Sequence, residues 1–225
     1  MDDAGRPADP IEVLLLDFGG VCLLNPVELH ARAEQRLDLP PGTLSWRGPL
    51  DPSTDPLWRS MVGGDLTERE YWAIRAGEVG ELLGRRWDTG DYMRLLYDPP
   101  RPELVRAAAT ETVRAARAAG YGVSVLTNDL RAFHGPDWAT GLPFFELIDH
   151  LVDCSDTNIL KPDRRAFDRA ADVIGTPLDR MLFVDDQPGN VAGAEAVGLP
   201  AMWFDIAKAD AAWRQVADRL ELGRS

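Results

Sequence analysis

The segment Asp17-Phe18-Gly19-Gly20 places an acidic side chain directly behind the apolar run of residues 11–16. The length of this run and the glycines that follow it are typical of a buried parallel strand that ends at a turn. An ionised Asp on such a turn can act as a nucleophile or as a metal ligand, and the glycines let the backbone approach a ligand closely. The alternative is a structural Asp that caps the turn.

A pair of adjacent carboxylates, Asp185 and Asp186, follows the apolar residues 181–184. Two negative charges at the end of one strand repel each other, and a bound divalent cation is the simplest compensation. The pair therefore predicts a metal site, and a solvated acidic loop is the alternative.

Two further segments offer groups that bind anions. Thr127 and Asn128 follow the apolar run 121–126, and their hydroxyl and amide groups suit phosphoryl oxygens, although Asn-Asp is also a common turn dipeptide. Lys161 precedes Pro162 at the predicted start of a helix, where the helix dipole already favours anions. A lysine gains nothing from the dipole at that end, so its position points to an anionic partner. An exposed surface lysine is the alternative.

Strands and helices alternate through the second half of the chain. The pattern predicts strands over residues 121–126, 149–154, 181–184 and 201–204, and helices over residues 103–119, 162–174, 190–197 and near the C-terminus. Such alternation is typical of an open, mostly parallel sheet covered on both faces. Ligands of these sheets bind at the carboxyl ends of the strands, where Asp17, Thr127 and Asp185 all fall. This shared position is the main reason to expect a catalytic site.

Residues 25–97, called the cap segment below, differ from the rest of the chain. They carry helical patterns over residues 26–37, 57–62, 68–83 and 87–96, and no convincing strand. Because the strand 11–16 belongs to the sheet, the cap segment is an insertion after it, and the proline-rich residues 98–102 are typical of a linker. We expect a catalytic core over residues 11–24 and 98–225, a helical cap over residues 25–97 and a disordered stretch over residues 1–10.

The composition limits the partners. The 225 residues are 45% hydrophobic and 27% charged, which is typical of a soluble globular protein. The net charge of −13 would repel nucleic acid and anionic membranes, so neither is expected as a partner. A small phosphorylated metabolite is not excluded, because a metal ion and one lysine can reverse the charge locally.

The remaining compositional features point to the cytoplasm. Cys22 and Cys154 lie in apolar stretches and are expected to be buried thiols rather than a disulfide pair. The acidic, proline-containing first ten residues fit neither a signal peptide nor a transit peptide. No apolar run approaches the roughly 18 residues of a membrane helix.

Taken in order, the four motifs resemble those of the haloacid dehalogenase superfamily, and the resemblance covers nearly the whole chain from residue 11 onwards. Its most specific part is Leu-Lys-Pro-Asp at residues 160–163, followed by Phe-Val-Asp-Asp at residues 183–186 and an Ala/Gly-rich helix. Gly-Asp-Leu-Thr at residues 64–67, followed by Glu-Tyr-Trp at residues 70–72, is similar to members with a helical cap inserted after the first motif. The resemblance implies an α/β fold, with a Rossmann-like parallel sheet core and an inserted helical cap.

The resemblance also implies an activity, the magnesium-dependent hydrolysis of small phosphate monoesters, sugar phosphates among them. Asp17 would be the nucleophile that takes the phosphoryl group as an aspartyl-phosphate. Mg²⁺ would be held by Asp17, the Gly19 carbonyl and Asp186, with Asp185 as a direct or water-mediated support.

Phosphoryl oxygens would be bound, by the same resemblance, by Thr127, Asn128, neighbouring amides and Lys161. Lys161 would also shield Asp17 from the anion that it attacks. Asn190 stands where relatives often carry a second Asp, and it is expected to steady the loop.

Position 19 departs from the family pattern. Most phosphatases of the superfamily read Asp-x-Asp, and the second Asp is the general acid/base, whereas this chain has Gly19. Dehalogenases of the family commonly have Tyr there, so this position does not indicate their activity either. An Asp-x-Gly-Gly or Asp-x-Gly-Asn branch of the helical-cap group is phosphatase-like, and the chain resembles it. Two alternatives stay open: a metal-independent hydrolase of the 2-haloacid dehalogenase type, and a catalytically weak binding protein.

No obvious side chain replaces the missing acid. His30, His134 and His150 are each expected to be surface or satisfied histidines. Most of the large cap side chains are expected to form the cap's own core, with one or two in contact with substrate: Trp46, Arg47, Trp58, Arg59, Tyr71 and Trp72. Without an acid, we expect a preference for phosphoesters with good leaving groups, unless a cap residue or a substrate hydroxyl delivers the proton.

Overall fold

The computed structural model describes residues 10–223, so the disorder expected over residues 1–10 falls, except for Pro10, outside the described residues. Within that range, one sheet of five parallel strands has the order β3-β2-β1-β4-β5. The strands are β1 (Val13–Leu16), β2 (Gly122–Thr127), β3 (His150–Asp153), β4 (Met181–Asp185) and β5 (Ala201–Trp203). The predicted parallel α/β sheet is confirmed, and each predicted strand agrees with an observed one to within two residues at either end.

The sheet is covered by helices on both faces because alternate residues of its strands point in opposite directions. Leu14 and Leu16 of β1 lie in one buried apolar cluster, and Val13 and Leu15 lie in the other. The first cluster includes side chains from α5 (Ala107–Ala118) and α9 (Ala209–Arg219). The second includes side chains from α7 (Arg164–Ile174) and α8 (Pro188–Ala196). Helices on both faces make this a three-layer α/β arrangement.

The cap segment is helical, as predicted. Its helices are α1 (His30–Arg36), α2 (Pro56–Val62), α3 (Glu68–Leu82) and α4 (Thr89–Tyr97). Side-chain caps set the starts of α3 and α4. The Thr67 side chain accepts from the backbone N–H of Glu70, and the Asp88 side chain accepts from the backbone N–H of Asp91. Helix α4 therefore begins two residues later than predicted. The division of the chain into core and cap at residues 25 and 97 stays a prediction.

One prediction for the second half was wrong in detail, and one short helix was not predicted. Asp163 is the N-cap of α7, because its carboxylate accepts from the backbone N–H of Arg165, so Pro162 lies outside the helix rather than in its first turn. Lys161 therefore does not sit at the helix start. The short helix α6 (Leu130–His134) was not predicted, because its five residues are too few to show a clear apolar periodicity.

Two simpler expectations can be checked directly. Cys22 and Cys154 are both buried and free, as predicted. None of the helices between residues 10 and 223 combines the length and the apolar character that a membrane crossing needs.

Candidate active site

The polar residues of the predicted site meet because the central strands run in register. Leu16 of β1 pairs with Val125 of β2 on one side and with Val184 of β4 on the other. One residue further along, Asp17 and Asp185 lie at the same edge, with Thr127 at the end of β2. The structure therefore gathers these three side chains at the carboxyl end of the sheet, as the sequence predicts.

Lys161 joins the two carboxylates. Its Nζ donates to Asp17 Oδ1 at 2.6 Å and to Asp185 Oδ2 at 2.7 Å. The lysine side chain is only 1% exposed, and those of Asp17 and Asp185 are 11% and 0% exposed. Burial lowers the pKa of Lys161, but attraction to the two carboxylates outweighs it and leaves the pKa raised. Burial raises the pKa of Asp17 to about 7, against the opposing effect of Lys161.

Asn128 holds the backbone of Lys161 in place. Its Oδ1 accepts from the Lys161 N–H at 2.8 Å, and its Nδ2 donates to the Lys161 carbonyl at 3.2 Å. The side chain predicted to bind phosphoryl oxygens is therefore already occupied, and it positions the lysine instead. Thr127 remains available at the cavity wall, with its side chain largely buried.

Both oxygens of the Asp185 carboxylate accept hydrogen bonds from protein groups. Besides Lys161, it accepts from the Gln187 N–H at 2.8 Å and from Asn190 Nδ2 at 3.1 Å to each oxygen. Asn190 thus steadies this loop, as predicted. Because every side of Asp185 is hydrogen-bonded, the structure favours a supporting role for it over direct contact with a metal.

Asp186 differs from its neighbour. Among residues 10–223 no donor reaches its carboxylate, and the only bond at Asp186 is from Trp203 Nε1 to its backbone carbonyl. Burial, followed by repulsion from Asp185 and Asp17, raises the pKa of Asp186 well above its ordinary value. A half-buried carboxylate without a donor is a group that a cation would stabilise.

The described part of the chain holds no group of three or more His, Cys, Asp or Glu side chains placed to bind a metal. The available donors are instead two carboxylates, those of Asp17 and Asp186, and the carbonyl of Gly19, and all three residues line one cavity. Mg²⁺ is usually bound through one or two carboxylates and keeps several waters. The donor set therefore fits Mg²⁺ without a third carboxylate.

The turn after β1 depends on Gly20 and on Arg106. Gly20 has φ +77°, and a Cβ there would lie 2.8 Å from Ile206 Cδ1 and 3.1 Å from Asp186 Oδ2, so only glycine fits. Arg106 donates to the Gly20 carbonyl through Nε at 3.1 Å and Nη2 at 2.9 Å, and it also pairs with Glu28. No local pattern marks Arg106, because its partners lie far away in the sequence.

The cap segment contributes two residues that the sequence analysis did not single out. Glu68 lines the same cavity as Asp17, Lys161 and Asp186. Its neighbour Arg69 pairs with Asp129, just after β2, through Nε at 2.8 Å and Nη2 at 2.6 Å. The first turn of α3 therefore covers the carboxyl end of the sheet.

Two of the three histidines lie away from the cavity, and the third is half-buried against a tryptophan. His30 is buried in the cap with Nδ1 3.1 Å from the Leu44 carbonyl, and burial lowers its pKa to about 4. His134 lines the cavity but stacks on Trp138 at 4.3 Å, and burial lowers its pKa to about 3. His150 is the first residue of β3, at the opposite end of the strand from the site.

Most of the large cap side chains form the cap's own core, as predicted. Trp46, Trp58, Tyr71 and Trp72 are buried and contact one another edge to face. None of the six predicted residues lines the cavity around Asp17, but Trp72 lines an adjoining cavity together with Gly19, Glu68 and Asp186. Trp72 comes nearest, because its Nε1 donates to Glu68 Oε1 at 3.2 Å.

Known proteins resemble this chain in sequence. The family model described as haloacid dehalogenase-like hydrolase matches residues 11–198. The chain is 33% identical over 57 residues to (S)-2-haloacid dehalogenase H-109 of Pseudomonas putida, a match that covers 25% of each protein. It is 29% identical over 117 residues to phosphatase MT3486 of Mycobacterium tuberculosis (strain CDC 1551 / Oshkosh), 51% of this chain and 50% of the relative. These matches span half or less of either relative's own length.

A solved structure shows the same fold over nearly the whole chain. The HAD-hydrolase YfnB from Bacillus subtilis, whose structure was determined with magnesium bound, superposes with a TM-score of 0.70 at 15% identity, covering 95% of this chain and 100% of that one. At this identity the likeness concerns the fold alone. Together with the family model, which spans well over half of the sequence, it answers the question of family: the chain belongs to the haloacid dehalogenase-like hydrolases.

Proposed function

We propose that this hydrolase is a magnesium-dependent phosphatase that acts on small phosphate monoesters. The observation that carries the proposal is the Asp186 carboxylate, which lines the cavity of Asp17 without any donor among residues 10–223. Three carboxylates, Asp17, Asp185 and Asp186, face a single cation, Lys161. This excess of negative charge suits a divalent cation and an anionic substrate held by it.

Asp17 is the proposed nucleophile. Its carboxylate attacks phosphorus, the bond from phosphorus to the leaving oxygen breaks, and the phosphoryl group is carried as an aspartyl-phosphate until water displaces it. Lys161 stabilises charge on the attacked group and favours the ionised form of Asp17. The Thr127 hydroxyl and the amides that follow β2 bind phosphoryl oxygens, while Asn128 fixes Lys161 through its backbone.

Mg²⁺, held by Asp17, Asp186 and the Gly19 carbonyl, would supply positive charge beside the phosphoryl oxygens. Asp185 supports the site indirectly, because its hydrogen bonds orient Lys161 and the loop of Gln187. Charge neutralisation of this kind would also let Asp17 and Asp186 both stay ionised despite their burial.

The leaving group has room between core and cap. A second cavity of about 490 Å³ shares Glu68, Asn128 and Asp129 with the catalytic one and is also lined by Leu66 and Thr67 of the cap. That volume lies in the range typical of small-molecule sites. It suits a phosphorylated metabolite such as a sugar phosphate.

A second candidate is a metal-independent dehalogenase that uses the same Asp17. It is favoured by the relatives, because the (S)-2-haloacid dehalogenase of Pseudomonas putida matches at the higher identity, although over a quarter of the chain. This mechanism would leave Asp186 without a role. The two candidates therefore differ in their need for a metal.

The test is a panel of phosphorylated metabolites and of 2-haloacids, each assayed with Mg²⁺ and with chelator. We expect phosphate release that requires Mg²⁺, and no halide release. Asp17→Asn should abolish it, since an amide cannot accept the phosphoryl group, whereas Asp172→Asn at an exposed position of α7 should not. Halide release in chelator with no phosphate release would overturn the proposal in favour of the dehalogenase.

A further inference from the structure

The cavity around Asp17 contains a carboxyl group that the proposed reaction has not yet used. Glu68 is the first residue of α3, it is half-buried, and its side chain lines the cavity together with Asp17, Gly19 and Asp186. Trp72 Nε1 donates to its Oε1 at 3.2 Å, and among residues 10–223 no cation pairs with it and no donor reaches its Oε2.

The position of Glu68 is fixed from both sides. The capping box of Thr67 and Glu70 sets the start of α3. Arg69 ties the same helical turn to the core through Asp129 and through Asn158 Oδ1 at 3.0 Å. The carboxyl group is therefore held over the carboxyl end of the sheet by its two sequence neighbours, which is what a group that must meet a substrate atom requires.

Other groups at the cavity cannot easily give up a proton. Asp185 is hydrogen-bonded on all sides, and Asp129 is paired with Arg69. His134 is held neutral, since burial lowers its pKa to about 3. Burial raises the pKa of Glu68, the Trp72 hydrogen bond lowers it, and repulsion by Asp129 and Asp185 raises it further, a direction that favours the protonated form that a general acid needs.

We propose that Glu68, from the cap, is the general acid/base that replaces the Asp missing at position 19. This inference rests on the proposed phosphatase function. In the first step Asp17 attacks phosphorus and the bond to the leaving oxygen breaks, while Glu68 gives its proton to that oxygen. In the second step Glu68 takes a proton from water, the resulting hydroxide oxygen bonds to phosphorus, and the Asp17–phosphorus bond breaks to release phosphate.

If Glu68 is the general acid/base, the step that slows in a Glu68 variant should depend on the leaving group of the substrate. Glu68→Gln keeps size and the Trp72 contact but cannot transfer a proton. For alkyl phosphates we expect kcat to fall about 10²–10⁴-fold. With 4-nitrophenyl phosphate, whose leaving group needs no proton, we expect a burst of about one nitrophenolate per active site and then slow turnover, because only the second step lacks its base.

The experiment compares rapid-mixing time courses of wild type, Glu68→Gln and Glu81→Gln with both substrates and Mg²⁺. Glu81 is exposed near the other end of the same helix, so Glu81→Gln should match wild type. Glu68→Ala should regain turnover when formate or acetate is added, a rescue that a merely structural role would not give.

The outcomes separate the two proposals. Equal rate losses with both substrates, no burst and no rescue would overturn the role of Glu68 and leave the phosphatase in place. Wild-type protein that releases no phosphate from any ester with Mg²⁺ would overturn both. A burst in Glu68→Gln together with rescue of Glu68→Ala would support the assignment.

Discussion

Lys161 Nζ lies 2.6 Å from Asp17 Oδ1, across 144 positions of sequence. The same nitrogen lies 2.7 Å from Asp185 Oδ2, so one buried ammonium connects the ends of the adjacent strands β1 and β4. A buried charge is stable only when it is paired, and the carboxylates at this edge would repel one another without the lysine. Lys161 therefore stabilises this edge of the sheet as well as serving the proposed reaction.

Replacing Lys161 should impair phosphate release, and Lys161→Ala should be worse than Lys161→Arg. The alanine variant loses the charge that stabilises the attacked group, at a cost of about 10²–10³-fold in kcat, whereas arginine keeps a charge in a site shaped for an ammonium. Steady-state kinetics would show the order. The control is Lys208→Ala, since the Lys208 side chain is 76% exposed. A Lys161→Ala variant with wild-type kcat and KM would remove the lysine from the mechanism.

Magnesium dependence should distinguish the two adjacent aspartates. Asp186→Asn should raise the Mg²⁺ concentration needed for half-maximal activity, because the Asp186 carboxylate has no other partner within the described residues. Asp185→Asn should lower kcat with a smaller change in the Mg²⁺ requirement, because Asp185 holds Lys161 rather than the metal. Activity titrations against Mg²⁺ in buffered chelator measure both quantities. Identical Mg²⁺ curves for wild type and Asp186→Asn would contradict the assigned donor set.

The cap should lose stability when its buried ion pair is broken. The Asp55 carboxylate is 0% exposed, accepts from Tyr71 Oη at 2.7 Å and pairs with Arg75. Asp55→Ala removes the buried partner of Arg75 and the acceptor of the Tyr71 hydroxyl, although the pair between Arg75 and the more exposed Glu78 remains, so the free energy of unfolding should fall by about 1–3 kcal/mol. Urea titration followed by tryptophan fluorescence would measure this loss. Asp51→Ala, at an exposed turn, is the control, and equal midpoints for the two variants would contradict the prediction.

The sequence was sufficient to predict the parallel sheet and the residues at its edge. The run 11–16 is apolar except for Glu12, and β1 is buried at every position, so its end at Asp17 could be placed from the pattern alone. Thr127 and Asp185 could be placed in the same way, because parallel strands bring their carboxyl ends to one edge.

The roles that depend on tertiary contacts could not be predicted. The local sequence of Asn128 suits a phosphate ligand or a turn residue, but its side chain holds the backbone of Lys161, 33 positions away. Glu68 stands inside the pattern of a helix start, which accounts for an acidic residue there without any site. Long-range contacts reveal that this helix start lies over the cavity, such as the bond between Arg69 and Asp129, 60 positions apart.

Position 19 offers a final test that joins both proposals. Gly19 has no left-handed φ, and among residues 10–223 the one atom within 4 Å of a Cβ there, outside its chain neighbours, is Asp17 Oδ2 at 3.9 Å, so a side chain can begin at this position without backbone strain. If Glu68 is the acid, adding Gly19→Asp to Glu68→Gln should raise kcat on alkyl phosphates at least about tenfold over Glu68→Gln alone. A positioned acid contributes about 10²–10⁴-fold, so a rise of this size is within its reach. Gly20→Ala is the contrasting variant, because its φ of +77° and the 2.8 Å approach to Ile206 Cδ1 predict a destabilised turn. The measurement is kcat on alkyl phosphates for the single and double variants, with urea midpoints as the check on folding. A folded double variant no faster than Glu68→Gln alone would show that a carboxyl group at position 19 cannot reach the leaving oxygen in this cavity.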